Sequence, residues 1–259
     1  MGSAGEGHFK TPTMRLDGLV AVVSGAGRGL GRACALALAE AGASAVLVSR
    51  TESELQAVAA IIAADGGTAS TLVCDVTDVR QVESAIGGLE RIDILVNAAG
   101  FNIPEPLNDV TEDHFDKVMT VNVKGTFMVS QAAVRRMRAG GRGGAIINIS
   151  SQMGHVGAPN RTVYCASKHA VEGMTKAMAV ELAPEKIRVN SIGPTFILTP
   201  LTEPFFEDKA FREDTLRRIP RGEVGQPTDV MGAVVFLASP AAALITGAGL
   251  VIDGGWTAW

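Results

Sequence analysis

The sequence predicts an α/β protein: a doubly wound parallel sheet of about seven strands, with helices on both faces, in one domain. Three observations predict it. Short apolar runs recur along the chain, helical stretches lie between them, and the first run empties into a glycine-rich turn that opens a helix. Strands covered on both faces read as nearly continuous Val, Ile, Leu and Ala, as these do. Strand–helix alternation implies parallel pairing through right-handed crossovers.

The apolar runs are Leu19–Ser24, Ser44–Ser49, Thr71–Cys74, Ile92–Asn97, Ala145–Ser150, Ile187–Ile192 and Leu250–Asp253. Helices are expected at Arg28–Ala41, Glu52–Asp65, Val79–Leu89, Thr111–Arg138, Thr162–Leu182 and Thr228–Leu237. Thr111-Glu112-Asp113 and Thr228-Asp229 carry helix-start chemistry: a hydroxyl that can cap, then acids in the first turn. Between Pro194 and Pro227 lies an irregular stretch holding Pro200, Pro204 and Pro220, with an amphipathic piece around Phe205–Arg218. A segment of that length inside a compact domain is read as a lid over a site, at about 195–226. The Gly-, Ser- and Thr-rich residues 1–14 lack the apolar core of a signal peptide and are expected to be a disordered extension before a domain at 15–259.

Composition narrows the function classes. With 259 residues and a formal charge of −4, the chain has no electrostatic footprint for nucleic acid. No apolar run reaches the roughly 18 residues of a membrane span. Cys34, Cys74 and Cys165 are scattered and odd in number, which indicates neither a disulfide framework nor a metal site and suits a reducing, cytoplasmic setting.

The first strand runs into Ser24-Gly25-Ala26-Gly27-Arg28-Gly29-Leu30-Gly31, where glycines at Gly25, Gly29 and Gly31 permit a tight turn and close approach of backbone N–H groups to a pyrophosphate. The helix N-terminus that follows adds favourable charge. The second strand ends at Ser49-Arg50, where a site for NAD usually has an acid for the ribose 2′-hydroxyl. Arg50 and Arg28 instead suit a 2′-phosphate, which guanidinium groups grip bidentately, so NADP is expected over NAD. The opposing reading is that Glu52 or Glu54 turns inward and takes the ribose.

Farther along, Ser151 ends the fifth run, and Tyr164 and Lys168 stand four apart on a helix. Residues at that spacing share a face, so the ammonium can sit beside the phenol and favour its ionised form. Lowering a tyrosine from about pH 10 by two to three units takes about 3–4 kcal/mol of differential interaction. A phenol tuned in that way can exchange a proton with an alcohol or carbonyl, and Ser151 can hold the substrate oxygen.

Together these residues resemble the single-domain branch of the short-chain dehydrogenase/reductase family, over nearly the whole chain from about Leu16. The resemblance implies a Rossmann fold that binds NADP. It makes Asp75 the adenine-contacting acid, with Val76 beside it, and Asn97-Ala98-Ala99-Gly100 the turn next to the cofactor ribose. It places Pro194, Thr195, Ile197 and Thr199 near the nicotinamide; Thr195 stands where the family often has Gly. It implies that Tyr164 moves the proton, that Lys168 and the oxidised nicotinamide depress its pKa, that Ser151 polarises the carbonyl, and that Asn122 anchors a relay water. It also implies a homotetramer.

For the substrate, Phe101, Asn102, Gln152, His155, Asn160, Arg161 and the lid around Leu201–Phe206, with Phe205, are expected to face the pocket; Gln152, His155 and Asn160 suit a hydroxylated compound. His155 is expected to hydrogen-bond locally, not to serve as a base. One reading is a dehydrogenase of a small sugar acid or polyol. Another is a 3-oxoacyl-carrier-protein reductase docking an acidic partner on Arg135, Arg136, Arg138 and Arg142. A third, of a different class, is a non-catalytic NADP-binding sensor.

Overall fold

The computed structural model describes residues 10–200 and 202–258. Most of the expected extension, residues 1–9, lies outside the described residues, as do Leu201 and Trp259; residues 10–14 are exposed chain without regular structure.

Seven parallel strands form one sheet: β1 (Val20–Ser24), β2 (Ser44–Ser49), β3 (Thr68–Val73), β4 (Ile94–Asn97), β5 (Gly144–Ile149), β6 (Ile187–Pro194) and β7 (Gly249–Ile252), in the order β3-β2-β1-β4-β5-β6-β7. Successive strand residues point to opposite faces. Ala21 and Val23 therefore join one core, and Val22 the other. The first core is capped by α1 (Gly29–Glu40), α2 (Glu52–Ala64) and α8 (Pro227–Ala238), through Leu38, Leu55, Ile62 and Val234. The second is capped by α3 (Val79–Ala85), α5 (Thr126–Gly140) and α6 (Thr162–Leu182), through Val82, Val129, Met137 and Leu182. No helix among the described residues is long and apolar enough to cross a membrane.

The strand order reverses between β1 and β4, and in such sheets the carboxyl ends of the strands at that crevice form the ligand site. Two glycines let the backbones meet there. Gly25 has φ +72°, and a Cβ on it would lie 2.7 Å from the Ala99 nitrogen, at the end of β4. A Cβ on Gly31 would collide with the Gly25 carbonyl. Side chains at these positions would push the first turn of α1 off β1 and close the crevice.

One expected helix is divided. The stretch Thr111–Arg138 forms α4 (Glu112–Met119), a wider π-helical turn at Thr120–Gly125, and α5. Thr111 caps α4 by accepting from the His114 N–H at 3.2 Å. In the π turn the Asn122 carbonyl accepts from the Thr126 hydroxyl at 2.8 Å, and π turns of this kind mark functional sites. The lid region holds a 3₁₀ turn at Glu203–Glu207 and α7 (Lys209–Arg218). Phe196, Phe206, Phe211 and Trp256 form an aromatic cluster with centroid separations of 5.4–6.0 Å, Phe196 meeting Phe206 and Phe211 edge-to-face and Trp256 at a tilt, that ties this region to the C-terminal segment. Trp256 thus packs within its own chain.

Candidate active site

The carboxyl ends of β1, β4, β5 and β6 open onto a cleft of about 950 Å³, the upper end of the range for ligand and cofactor sites. At one end the glycine turn contributes Gly25, Gly27, Arg28, Gly29, Leu30 and Gly31. Ser49 and Arg50 follow from β2, Asp75 and Val76 from the end of β3, and Ala98, Ala99 and Gly100 from the end of β4. Toward the other end lie Ser151, Tyr164, Lys168, Pro194 and Thr195; Ile197 also lines the cleft, and Thr199 reaches back to the glycine turn, 3.7 Å from where a Cβ on Gly29 would sit. The cleft suits an elongated ligand with polar groups. Its floor is backbone that side chains would fill, and the Thr195 hydroxyl is buried there without a partner.

Lys168 is 5% exposed, and its ammonium donates to the Ile149 carbonyl at 2.9 Å. Burial lowers its pKa to about 8, with the Glu172 carboxylate pulling the other way. The nitrogen sits 5.6 Å from the centre of the Tyr164 ring. Burial also raises the Tyr164 pKa, opposed by the nearby Ser151 hydroxyl. In the free protein the ammonium donates to a carbonyl and burial disfavours the phenolate; the expected acidification rests on Lys168 and the oxidised nicotinamide together. Ser151 donates to Gln152 Oε1 at 2.7 Å and accepts from the Met153 N–H at 3.1 Å.

Five sequence-chosen residues stand outside the cleft wall. Ser24 is buried, its hydroxyl accepting from the Ala99 N–H at 3.4 Å. Asn97 turns into the sheet and donates at 2.9 Å to both Ser130 Oγ and Asn148 Oδ1. His155 faces Glu172, with Nε2 3.5 Å from Oε1, and Ser191 donates to the same carboxylate at 2.7 Å. Asn160 takes a left-handed conformation with φ 57°, which Asn tolerates better than most residues, and so shapes the turn into α6. Asn122, 1% exposed, uses its side chain as a brace. It accepts from the Phe101 N–H at 2.7 Å and donates to the Phe101 carbonyl at 2.8 Å and to Ser167 Oγ at 3.0 Å. Gln152, Phe205, Phe101, Asn102 and Arg161 do line the cleft.

A family model described as enoyl-(acyl carrier protein) reductase matches residues 25–257. L-xylulose reductase of Bos taurus is 38% identical over 245 residues, covering 95% of this chain and 99% of that protein. A crystal structure of a short-chain type dehydrogenase/reductase from Mycobacterium marinum is 42% identical with a TM-score of 0.88, covering 94% of this chain and 97% of the other. The chain belongs to the short-chain dehydrogenase/reductase family. A gluconate 5-dehydrogenase from Burkholderia cenocepacia, in complex with NADP and tartrate, superposes with a TM-score of 0.92 at 38% identity, over 95% of this chain and 98% of that one. As a short-chain dehydrogenase/reductase, the protein is an oxidoreductase acting on CH–OH donors.

Two features of this short-chain dehydrogenase/reductase bear on the open alternatives. Glu54 does turn inward: a Cβ on Gly27 would meet its Oε2 at 2.7 Å and Ser49 Oγ at 3.2 Å. A carboxylate thus shares the wall with Arg28 and Arg50, both exposed. Each arginine of the expected dock has a partner within the chain, at the surface. Arg135 pairs with Glu83, Arg138 pairs with Glu185 at 2.7 Å, Arg142 lies 3.6 Å from Asp93, and Arg136 donates to the Glu90 carbonyl at 3.0 Å.

Replacing Asn122 by Leu leaves the Phe101 N–H and carbonyl and the Ser167 hydroxyl without this partner. Phe101 is 38% exposed and the Ser167 hydroxyl keeps its bond to the Tyr164 carbonyl, so the expected loss is about 1–3 kcal/mol of unfolding free energy, the cost of roughly one orphaned buried group, measured by urea denaturation.

Proposed function

We propose that the enzyme interconverts a ketone and a secondary alcohol of a small hydroxylated compound, a sugar acid or polyol, with NADP. The observation that carries this reading is the convergence of Ser151, Tyr164 and Lys168 at one end of a glycine-floored cleft. The relatives named L-xylulose reductase and gluconate 5-dehydrogenase support the substrate class. The absorbed arginine cluster supports a small substrate over one presented by an acidic carrier protein.

In this reading Gly25, Gly29 and Gly31 receive the pyrophosphate of NADP, Asp75 and Val76 the adenine, Ala98 to Gly100 the ribose, and Pro194 to Thr199 the carboxamide. NADP held by these residues would supply or take up the hydride. Tyr164 gives its proton to the ketone oxygen in reduction and takes one back in oxidation. Ser151 donates a hydrogen bond to the same oxygen, for which its hydroxyl turns from Gln152 Oε1. Lys168, with a pKa near 8, carries its proton at neutral pH and places positive charge under the phenol. Asn122 acts as a positioning residue, holding the Gly100–Phe101 turn and, through Ser167, the start of α6. Arg50 is 72% exposed and only 3.9 Å from Asp75, a loose pair that can close on a 2′-phosphate, while Glu54 swings away.

We further infer a homotetramer. Phe115 on α4, Phe127 on α5, Val180 on α6 and Leu250 on β7 are 38–80% exposed, and burying such side chains between subunits is favourable. Three free thiols, Cys34, Cys74 and Cys165, fit the reducing cytoplasm.

Tyr164 is the protein's single tyrosine, so tyrosinate absorbance reports it alone. In the free enzyme burial is expected to hold it above its ordinary value, Ser151→Ala should push it higher, and saturation with NADP should lower the midpoint; a midpoint that bound NADP leaves unmoved would refute the scheme. Tyr164→Phe should lower kcat at least about 100-fold, the lower end of general acid–base contributions. Arg50→Ala should lower kcat/KM for NADPH at least about tenfold, as loss of a charged hydrogen bond of about 1.5–3 kcal/mol implies, with NADH use changed less than about threefold; a native preference for NADH would sink the phosphate clamp. Light scattering should give the mass of four 26.8 kDa chains.

A further inference from the structure

Arg161 is the cleft's unexplained charge. It stands at the residue before α6, is 8% exposed, and lines the cleft three positions from Tyr164. Its Nη1 donates to the Asn160 carbonyl at 3.1 Å, and among the described residues no carboxylate lies within ion-pairing distance of the guanidinium. The arginines that do form ion pairs among the described residues stand at far more exposed sites. A guanidinium does not lose its proton in a protein, so burial without an anion carries an uncompensated cost. Desolvation lowers its pKa, in keeping with that cost.

Two neighbouring features favour the same kind of ligand. The N-terminus of α6 has no side-chain cap, so its first amide groups add positive potential beside the guanidinium. Asn102, also lining the cleft, has a buried Oδ1 without a partner, an acceptor for a substrate hydroxyl. The left-handed Asn160 backbone aims this corner: its carbonyl accepts from the Glu105 N–H at 3.1 Å as well as from Arg161, which fixes the turn.

We propose that the substrate is a polyhydroxy acid whose carboxylate is held by Arg161, so that of the two compound types in the functional reading, acid and neutral polyol, this enzyme is built for the acid. The inference rests on that reading for the site it addresses, but it concerns binding and not hydride transfer. Arg161 is a specificity residue here, and Tyr164, one helical turn on, meets the oxygen of the carbon that reacts.

The test compares binding of C4–C6 sugar acids with their matched neutral alditols, and with the corresponding amides, to the NADP-loaded protein by calorimetry. For the best acid, affinity is expected to exceed that of its alditol and amide by about 30-fold, as one charged hydrogen-bonded contact implies. In Arg161→Gln the excess should fall to within about threefold, while Arg161→Lys keeps part of it. Unchanged NADP affinity in the variants shows that they are folded. If no acid binds better than its alditol and amide in the wild-type protein, the proposal is overturned without recourse to any variant; equal losses for acid and alditol in folded Arg161→Gln overturn it too. Tight acid binding with no turnover on any carbonyl or alcohol would sustain the carboxylate site and overturn the oxidoreductase chemistry assigned to Tyr164.

Discussion

Lys168 brings a positive charge to a place that is 5% exposed, and the Ile149 carbonyl receives it at 2.9 Å. Much of the site depends on this contact. Ile149 ends β5, and Ser151 stands two residues beyond it, so the bond fixes α6 against the strand that presents the serine. Tyr164, one turn earlier on the same helix, is placed by the same constraint. A buried ammonium without that acceptor would cost several kcal/mol, of the order found for unpaired charge in protein interiors, so the helix has little freedom to rotate away. Glu172, one turn later, keeps the amine from losing its proton more readily still. Charge and carbonyl thus set the phenol's position, and the carboxylate steadies the charge.

The architecture was legible because its causes are local and periodic. Apolar runs placed the strands, and the glycine turn marked the crevice. The edges of the reading failed where burial weakens the pattern. β3 starts at Thr68, not Thr71, because an edge strand alternates exposed and half-buried residues and lacks a continuous apolar run. The helix after Asp78 stops at Ala85, short of the Leu89 expected, ahead of Gly87 and Gly88. The π turn at Thr120–Gly125 was invisible, since Thr-Val-Asn-Val-Lys-Gly has nothing that bars an ordinary helix.

Within the site, what could be read was residue type at a spacing; what could not was direction. Tyr164, Lys168, Ser151 and the glycines meet in one cleft because strand ends and helix starts place them there. His155 and Asn160 are polar neighbours of the same loop, but one turns to Glu172 and the other spends its backbone on a left-handed turn. The inward swing of Glu54 and the burial of Arg161 are likewise side-chain and loop outcomes, decided by packing partners distant in sequence. The four clustered arginines are a surface feature, and three of them pair with acids from α3, from just before β4 and from the 3₁₀ turn after α6.

The side chains of Asn97, Asn148 and Thr175 form a ladder through the middle of the protein. Asn97 and Asn148 are directly opposite in the β4–β5 pairing, and Asn148 passes a hydrogen bond at 2.9 Å to Thr175 on α6. In a sheet greasy on both sides, apolar pattern cannot tell one strand alignment from the next, because sliding a strand exchanges one aliphatic for another. Amide valence can. A shift of one position would strand both asparagines among hydrocarbon, so mispaired collapsed states are penalised early, and the molecule's choice of alignment is written in the few polar atoms that it hides most deeply.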